Sequence, residues 1–189
     1  MNPSSHPAPP PPAKKSWRSR ILRWSIEIAL VLGVFFLIQA WNAPKLPDKI
    51  LPPLISQTLD GKMFDSRKTQ GRPLVVHIWA EWCPVCRLEL AGIAELAKDA
   101  PVMSIAWKSG DDAAMRRFLA QEKIDMPVIN DPQGALLAPL GIKAVPLHLI
   151  VDATGRIHFV ETGYITPWGL RARLWWVEHF AGAMPVNGS

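Results

Sequence analysis

The sequence predicts an α/β protein in which a central mixed β-sheet is flanked by helices and preceded by one N-terminal transmembrane helix. Three observations carry that expectation. Short apolar runs of strand length alternate with segments whose apolar residues recur at helical spacing. Asp60-Gly61 and Thr154-Gly155 supply turns where two of those runs meet. An apolar stretch of 21 residues stands before them all, at 21–41.

Taken from the N-terminus, residues 1–20 read as a disordered, Pro-rich, basic cytoplasmic tail, with Pro3, Pro7 and the run from Pro9 to Pro12. Residues 21–41 have the length and composition of a single bilayer crossing, with Trp24 and Trp41 near the interfaces. Glu27 is costly there, and its place near the cytoplasmic end lets it snorkel or take a proton. A cleaved secretory signal is the alternative, but Trp41-Asn42-Ala43 is a poor small-residue cleavage pattern, so an uncleaved anchor is expected. Residues 42–53 carry Pro44, Pro47, Pro52 and Pro53 and read as a stiff tether. The folded domain is then 54–189.

Within it, 54–58 and 62–64 flank Asp60-Gly61 as a hairpin, and 74–79 is an apolar run suited to a buried strand. A helix follows from Pro84, with Cys86, Leu90, Ile93 and Ala97 on one face. Residues 102–107 read as strand, 111–122 as an amphipathic helix, 127–130 as a short strand and 134–140 as a helical turn. Residues 147–152 and 156–162 form an antiparallel pair, and Pro167 opens a last helix.

Net charge is +5, which raises the question of a nucleic-acid partner. Five of the 21 basic residues, Lys14, Lys15, Arg18, Arg20 and Arg23, precede the first acidic one, Glu27; the remainder is balanced at 16 against 16. A basic cluster that ends where an apolar run begins is a topology signal that keeps the N-terminus in the cytoplasm, and nucleic-acid binding is excluded.

The chain has two cysteines, Cys83 and Cys86, at a strand-to-helix junction. A Cys-x-x-Cys at a helix start turns the first sulfur toward unpaired backbone N–H groups, which favour its thiolate, and sets the second one turn inside, where it can attack a mixed disulfide on the first. Four-ligand zinc spacing is missing, and Arg87 stands where a c-type haem site needs His. A structural disulfide closing so short a loop constrains little.

The stretch Trp79-Ala80-Glu81-Trp82-Cys83-Pro84-Val85-Cys86-Arg87-Leu88-Glu89 resembles the active site of thioredoxin-like proteins, in particular the membrane-tethered branch that includes cytochrome c maturation thioredoxins. Segments 109–112, 127–134 and 163–176 narrow the resemblance to protein disulfide oxidoreductases of the suppressor-of-copper-sensitivity D type, over roughly residues 52–178. The resemblance implies a thioredoxin-like fold and disulfide exchange with periplasmic proteins, with no cofactor beyond the cysteines. It also implies a transmembrane electron-donor partner, a domain held in the periplasm by the inner membrane, and a link to copper tolerance. A reductant of apocytochrome c thiols and a Cu(I)-binding module remain alternatives.

The same resemblance assigns Val145 and Pro146 to a cis-proline segment that pairs with substrate beside the cysteines, and Leu147 departs from the small residue common after that proline. Glu89, one helical turn past Cys86, has two open readings: a proton carrier for Cys86 with a raised pKa, or a solvated helix acid. His77 stands where thioredoxin has a buried acid, and as a lone histidine in an apolar strand it reads first as a core residue. Of Trp79, Trp82 and Trp107, only Trp82 is expected at the surface, beside Pro84 in the substrate-facing lip.

Overall fold

The computed structural model describes residues 24–31, 33–34, 50–68 and 71–181. It divides the chain into two units, Met1–Ala43 and Pro44–Ser189. In the first, residues 24–31 and 33–34 are helical, with Trp24, Ile28 and Val31 exposed. Among the described residues no helix is long and apolar enough to cross a membrane. The rest of the expected 21–41 span, the 1–20 tail and most of the tether lie outside the described residues.

The second unit opens before residue 54. Ile50 bridges Arg156, and the Leu51 N–H donates to Gly155 O at 2.8 Å with its side chain buried, so the end of the Pro-rich stretch packs on the domain. β1 (Ile55–Gln57) and β2 (Met63–Asp65) then pair antiparallel. Gly61 supplies the positive φ, 87°, that their turn requires.

β3 (Leu74–Trp79) is buried at every residue because it lies in the middle of a five-stranded sheet. Its neighbours are β4 (Val102–Trp107), parallel, and β6 (Leu147–Val151), antiparallel; β5 (Val128–Asp131) extends the β4 side and β7 (Ile157–Thr162) the β6 side, in the order β5-β4-β3-β6-β7. The mixed sheet expected from the sequence is therefore present.

Period-two alternation divides the core between the two faces. Leu74, Val76, Ile78, Met103, Ile105, Leu147 and Leu149 pack with Leu54, Leu137 and Leu140. On the other face Val75, Trp79, Ala106 and Ile150 meet α1 (Pro84–Leu96), α2 (Asp112–Gln121) and α3 (Pro167–Phe180) through Cys86, Leu90, Ile93, Met115, Leu170 and Leu174. Helix starts follow capping chemistry: Asp111 accepts from the Ala114 N–H, and Thr166 from the Gly169 N–H.

The segment expected as a helical turn at 134–140 is helical only at Ala138–Leu140. Its first half is held instead by Asp131, whose carboxylate accepts from the N–H groups of Leu136 and Leu137, both at 3.2 Å. A side chain at the end of β5, five and six residues upstream, has taken the place of the first intrahelical bonds.

Candidate active site at the head of the first helix

Cys83 is the N-cap of α1, in extended conformation with φ −92° and ψ 111°, and Pro84 follows in the first helical turn, where its missing N–H costs nothing. The Cys86 N–H donates to Cys83 Sγ at 3.3 Å. Cys83 is 7% exposed and Cys86 fully buried beneath it, so only the first sulfur can be approached from outside. Neither forms a disulfide in this structure.

The loop ahead of the helix is tied to the end of β4. Ser109, itself buried, accepts from the Glu81 N–H at 3.0 Å and donates to Trp107 O at 3.0 Å. The Trp82 indole N–H donates to Lys108 O at 3.1 Å while the ring stays 58% exposed, as its sequence context suggested; Trp79 is fully buried. Pro84 is exposed beside it. At the same end of the sheet, just before β6, the Val145–Pro146 peptide bond is cis, Pro146 is buried, and the Cys83 thiol reaches Val145 O at 3.7 Å. The structure thus brings together Trp82, Cys83, Pro84, Cys86, Val145 and Pro146.

Glu89 is neither solvated nor a carboxyl with a raised pKa. It is 3% exposed, projecting from α1 onto the sheet, where Oε1 lies 3.2 Å from His77 Nε2 and 3.1 Å from His148 Nε2. The Ile165 N–H donates to Oε2 at 3.3 Å. Burial alone pushes the carboxyl up, but the two imidazoles outweigh it and hold Glu89 down at about 2. The expectation of a raised value is corrected by a histidine on a strand distant in sequence.

His77 is pushed down to about 4, first by burial and against the pull of Glu89. Its tautomer follows from its neighbours. The Trp79 indole N–H donates to Ser104 Oγ at 2.9 Å, which turns the hydroxyl hydrogen toward His77 Nδ1, 3.5 Å away, and leaves the ring proton on Nε2 facing Glu89. The Cys86 thiol is pushed well up, first by burial, then by its bond with Cys83 and by the Glu89 charge.

His148 was not singled out by the sequence. Its only sequence signal is an inward position in an alternating strand; that it faces His77 depends on the β3–β6 register, in which the two are partners with ring centroids 5.1 Å apart. Although His148 Nε2 is near Glu89, it is off the hydrogen-bond line, and neither ring nitrogen has a hydrogen-bond partner among the described residues. His77, Glu89 and His148 keep their ligand-type atoms within 4.8 Å of one another, yet the His77 N–H is already given to Glu89, so the trio is not an open ligand set.

Comparison with known proteins agrees with this geometry. Residues 44–169 match the family model described as Redoxin. The chain is 30% identical over 139 residues to a thioredoxin-like protein of Haemophilus influenzae, covering 72% of this chain and 82% of that one. It is 30% identical over 150 residues to the thiol:disulfide interchange protein DsbE of Vibrio cholerae, covering 73% and 82%. The fold is shared with a thiol:disulfide interchange protein of the thioredoxin family from Chlorobium tepidum, with TM-score 0.61 and 21% identity, covering 71% of this chain and 99% of that one. With a sulfur pair at a helix head on a thioredoxin-like sheet, and relatives of that kind over most of its length, the chain belongs to the Redoxin family and is a protein-disulfide oxidoreductase.

Proposed function

We propose that this protein reduces disulfides in periplasmic proteins, with Cys83 as the attacking and Cys86 as the resolving sulfur. The observation that carries this reading is the unequal access of the two sulfurs: Cys83 reaches the surface and Cys86, one turn deeper, does not. Thiolate Cys83 attacks a substrate disulfide and releases one substrate thiolate. Cys86 then gives up its proton and attacks Cys83; the Cys83–substrate bond breaks, and the second substrate thiolate leaves with the electron pair. Trp82, Pro84, Val145 and Pro146 form the substrate lip, in which the Val145 carbonyl, close to Cys83, is available to an extended peptide.

The apolar composition of 21–41, with basic residues ahead of it, supports a membrane anchor that leaves the domain in the periplasm. Anchoring would raise the domain's effective concentration near a transmembrane electron donor. The likeness to suppressor-of-copper-sensitivity D proteins supports a place in copper tolerance, and the likeness to cytochrome c maturation thioredoxins favours apocytochrome c thiols as a second substrate reading.

Cys86→Ser tests the assignment of the two sulfurs: it should accumulate a mixed disulfide with an oxidised substrate peptide on Cys83, visible by mass, whereas Cys83→Ser should capture nothing. Capture by Cys86 in the Cys83→Ser protein would reverse the assignment. For the direction of exchange, a Cys83–Cys86 potential well below about −200 mV supports a reductant, and one near about −120 mV means an oxidant.

A further inference from the structure

Resolution requires Cys86, fully buried, to lose a proton, and the nearby Glu89 is equally shut off from water. The three groups that approach the Glu89 carboxylate differ in what they can pass on. Ile165 offers a backbone N–H, which relays nothing. His77 leads through Ser104 to the Trp79 indole, a fully buried donor that neither titrates nor accepts, so that branch is closed.

His148 is different. It is fully buried, its Nε2 is 3.1 Å from Glu89, and its Nδ1 has no partner among the described residues. On its other side, its partner across β6 and β7 is Glu161, which shares its sheet face, about 5 Å away between Cβ atoms. β7 is the edge strand, and the Glu161 side chain is 31% exposed, its carboxylate accepting from Arg173 Nε of α3 at 2.7 Å. His77, His148 and Glu161 therefore form one row across β3, β6 and β7, running from beneath α1 to the rim. The groups that titrate or carry charge around His148 are Cys86 and Glu89 from α1, His77 from β3, Glu161 from β7 and Arg173 from α3.

We infer that His148 is the proton outlet of the active site, passing the Cys86 proton from Glu89 to Glu161 and the solvent. As Cys86 attacks Cys83, its proton moves to the Glu89 carboxylate and, once the imidazole turns onto the line of that 3.1 Å approach, on to His148 Nε2. The opposite nitrogen, Nδ1, releases a proton to Glu161 or to water, and no electron pair leaves the sulfur chemistry. A carboxylate held as firmly in its charged form as Glu89 is a poor resting place for a proton, which favours onward transfer. The inference rests on Cys86 being the resolving sulfur.

The test uses the reduced full chain and the aromatic disulfide 5,5′-dithiobis(2-nitrobenzoate) in stopped flow. One coloured thiolate is released when Cys83 attacks and a second when Cys86 resolves, so the two steps are read separately. His148→Phe should leave the first phase unchanged and slow the second by about a hundredfold near pH 7, the modest end of general acid–base effects, with the deficit shrinking as hydroxide takes over at higher pH. Glu161→Gln, at the rim, should slow the second phase in the same pH-dependent way by a smaller factor, and it carries the test if His148→Phe fails to fold. A second phase with the wild-type rate and pH profile in a folded variant overturns the outlet. A first phase that persists in Cys83→Ser overturns the attacking role of Cys83 itself.

Discussion

Burying a carboxyl ordinarily favours its neutral form. Glu89 goes the other way because two imidazole nitrogens and the Ile165 N–H meet its oxygens inside the core. Stability should record this as acid sensitivity. His77 titrates near 6.5 when unfolded and at about 4 when folded, so between those values the unfolded chain binds a proton that the folded chain refuses, and stability falls as pH drops. Below about 4.5 the unfolded chain also protonates Glu89, which the native state keeps charged down to about 2, and the loss deepens. The His77 contribution, present in full above 6.5, amounts to roughly 3 kcal/mol at most. Urea unfolding at a series of pH values should show a midpoint that declines from 6.5 toward 4, and His77→Gln, which keeps a donor but cannot titrate, should flatten that decline. An equally steep decline in the variant would show that other groups cause it.

At the scale of elements, α1 is the scaffold of the site, and its setting depends on close approach to α3. Gly92 is the point of contact: a Cβ there would lie 2.6 Å from Pro167 Cγ, and the proline ring in the first turn of α3 has little freedom to yield. Gly92→Ala gains helix propensity but forces the helices apart, for a net loss of about 1–2 kcal/mol. A lowered Tm should report the loss, and an unchanged or raised Tm would mean that the helices adjust without cost. Most elements here were legible from their own residues: apolar runs for β3 and β4, Asp-Gly for the β1–β2 turn, Pro after Cys83 for the start of α1. The 134–140 turn was only partly legible because Asp131, outside the segment, takes two of its N–H groups.

On the scale of the whole molecule, α1, α2 and α3 of the second unit cover one sheet face, and the sulfurs lie on that face, at the head of α1. In the proposed mechanism a substrate therefore meets the site from outside while the proton chemistry proceeds inside the sheet. The N-terminal segment should decide where this happens. The full chain should remain with membranes through an alkaline carbonate wash and be released by detergent, whereas a 44–189 fragment, one of the two units of the chain, should be recovered in the soluble fraction with its cysteines active. Release of the full chain by carbonate would rule out the proposed anchor.

The sequence by itself determined the order of strands and helices, the hairpin turns and the placing of the cysteine pair at a helix start. These follow from local periodicity, turn chemistry and a motif four residues long, none of which depends on distant contacts. Only the tertiary structure decided what surrounds Glu89. Alternation within 147–151 shows that His148 points to one face, but only the antiparallel register of β3 with β6 sets it against His77, and only the seating of α1 on that face brings Glu89 between them. An isolated acid one turn past a cysteine reads as a surface group or a proton carrier; it becomes a held anion because burial removes water and leaves two imidazoles in its place.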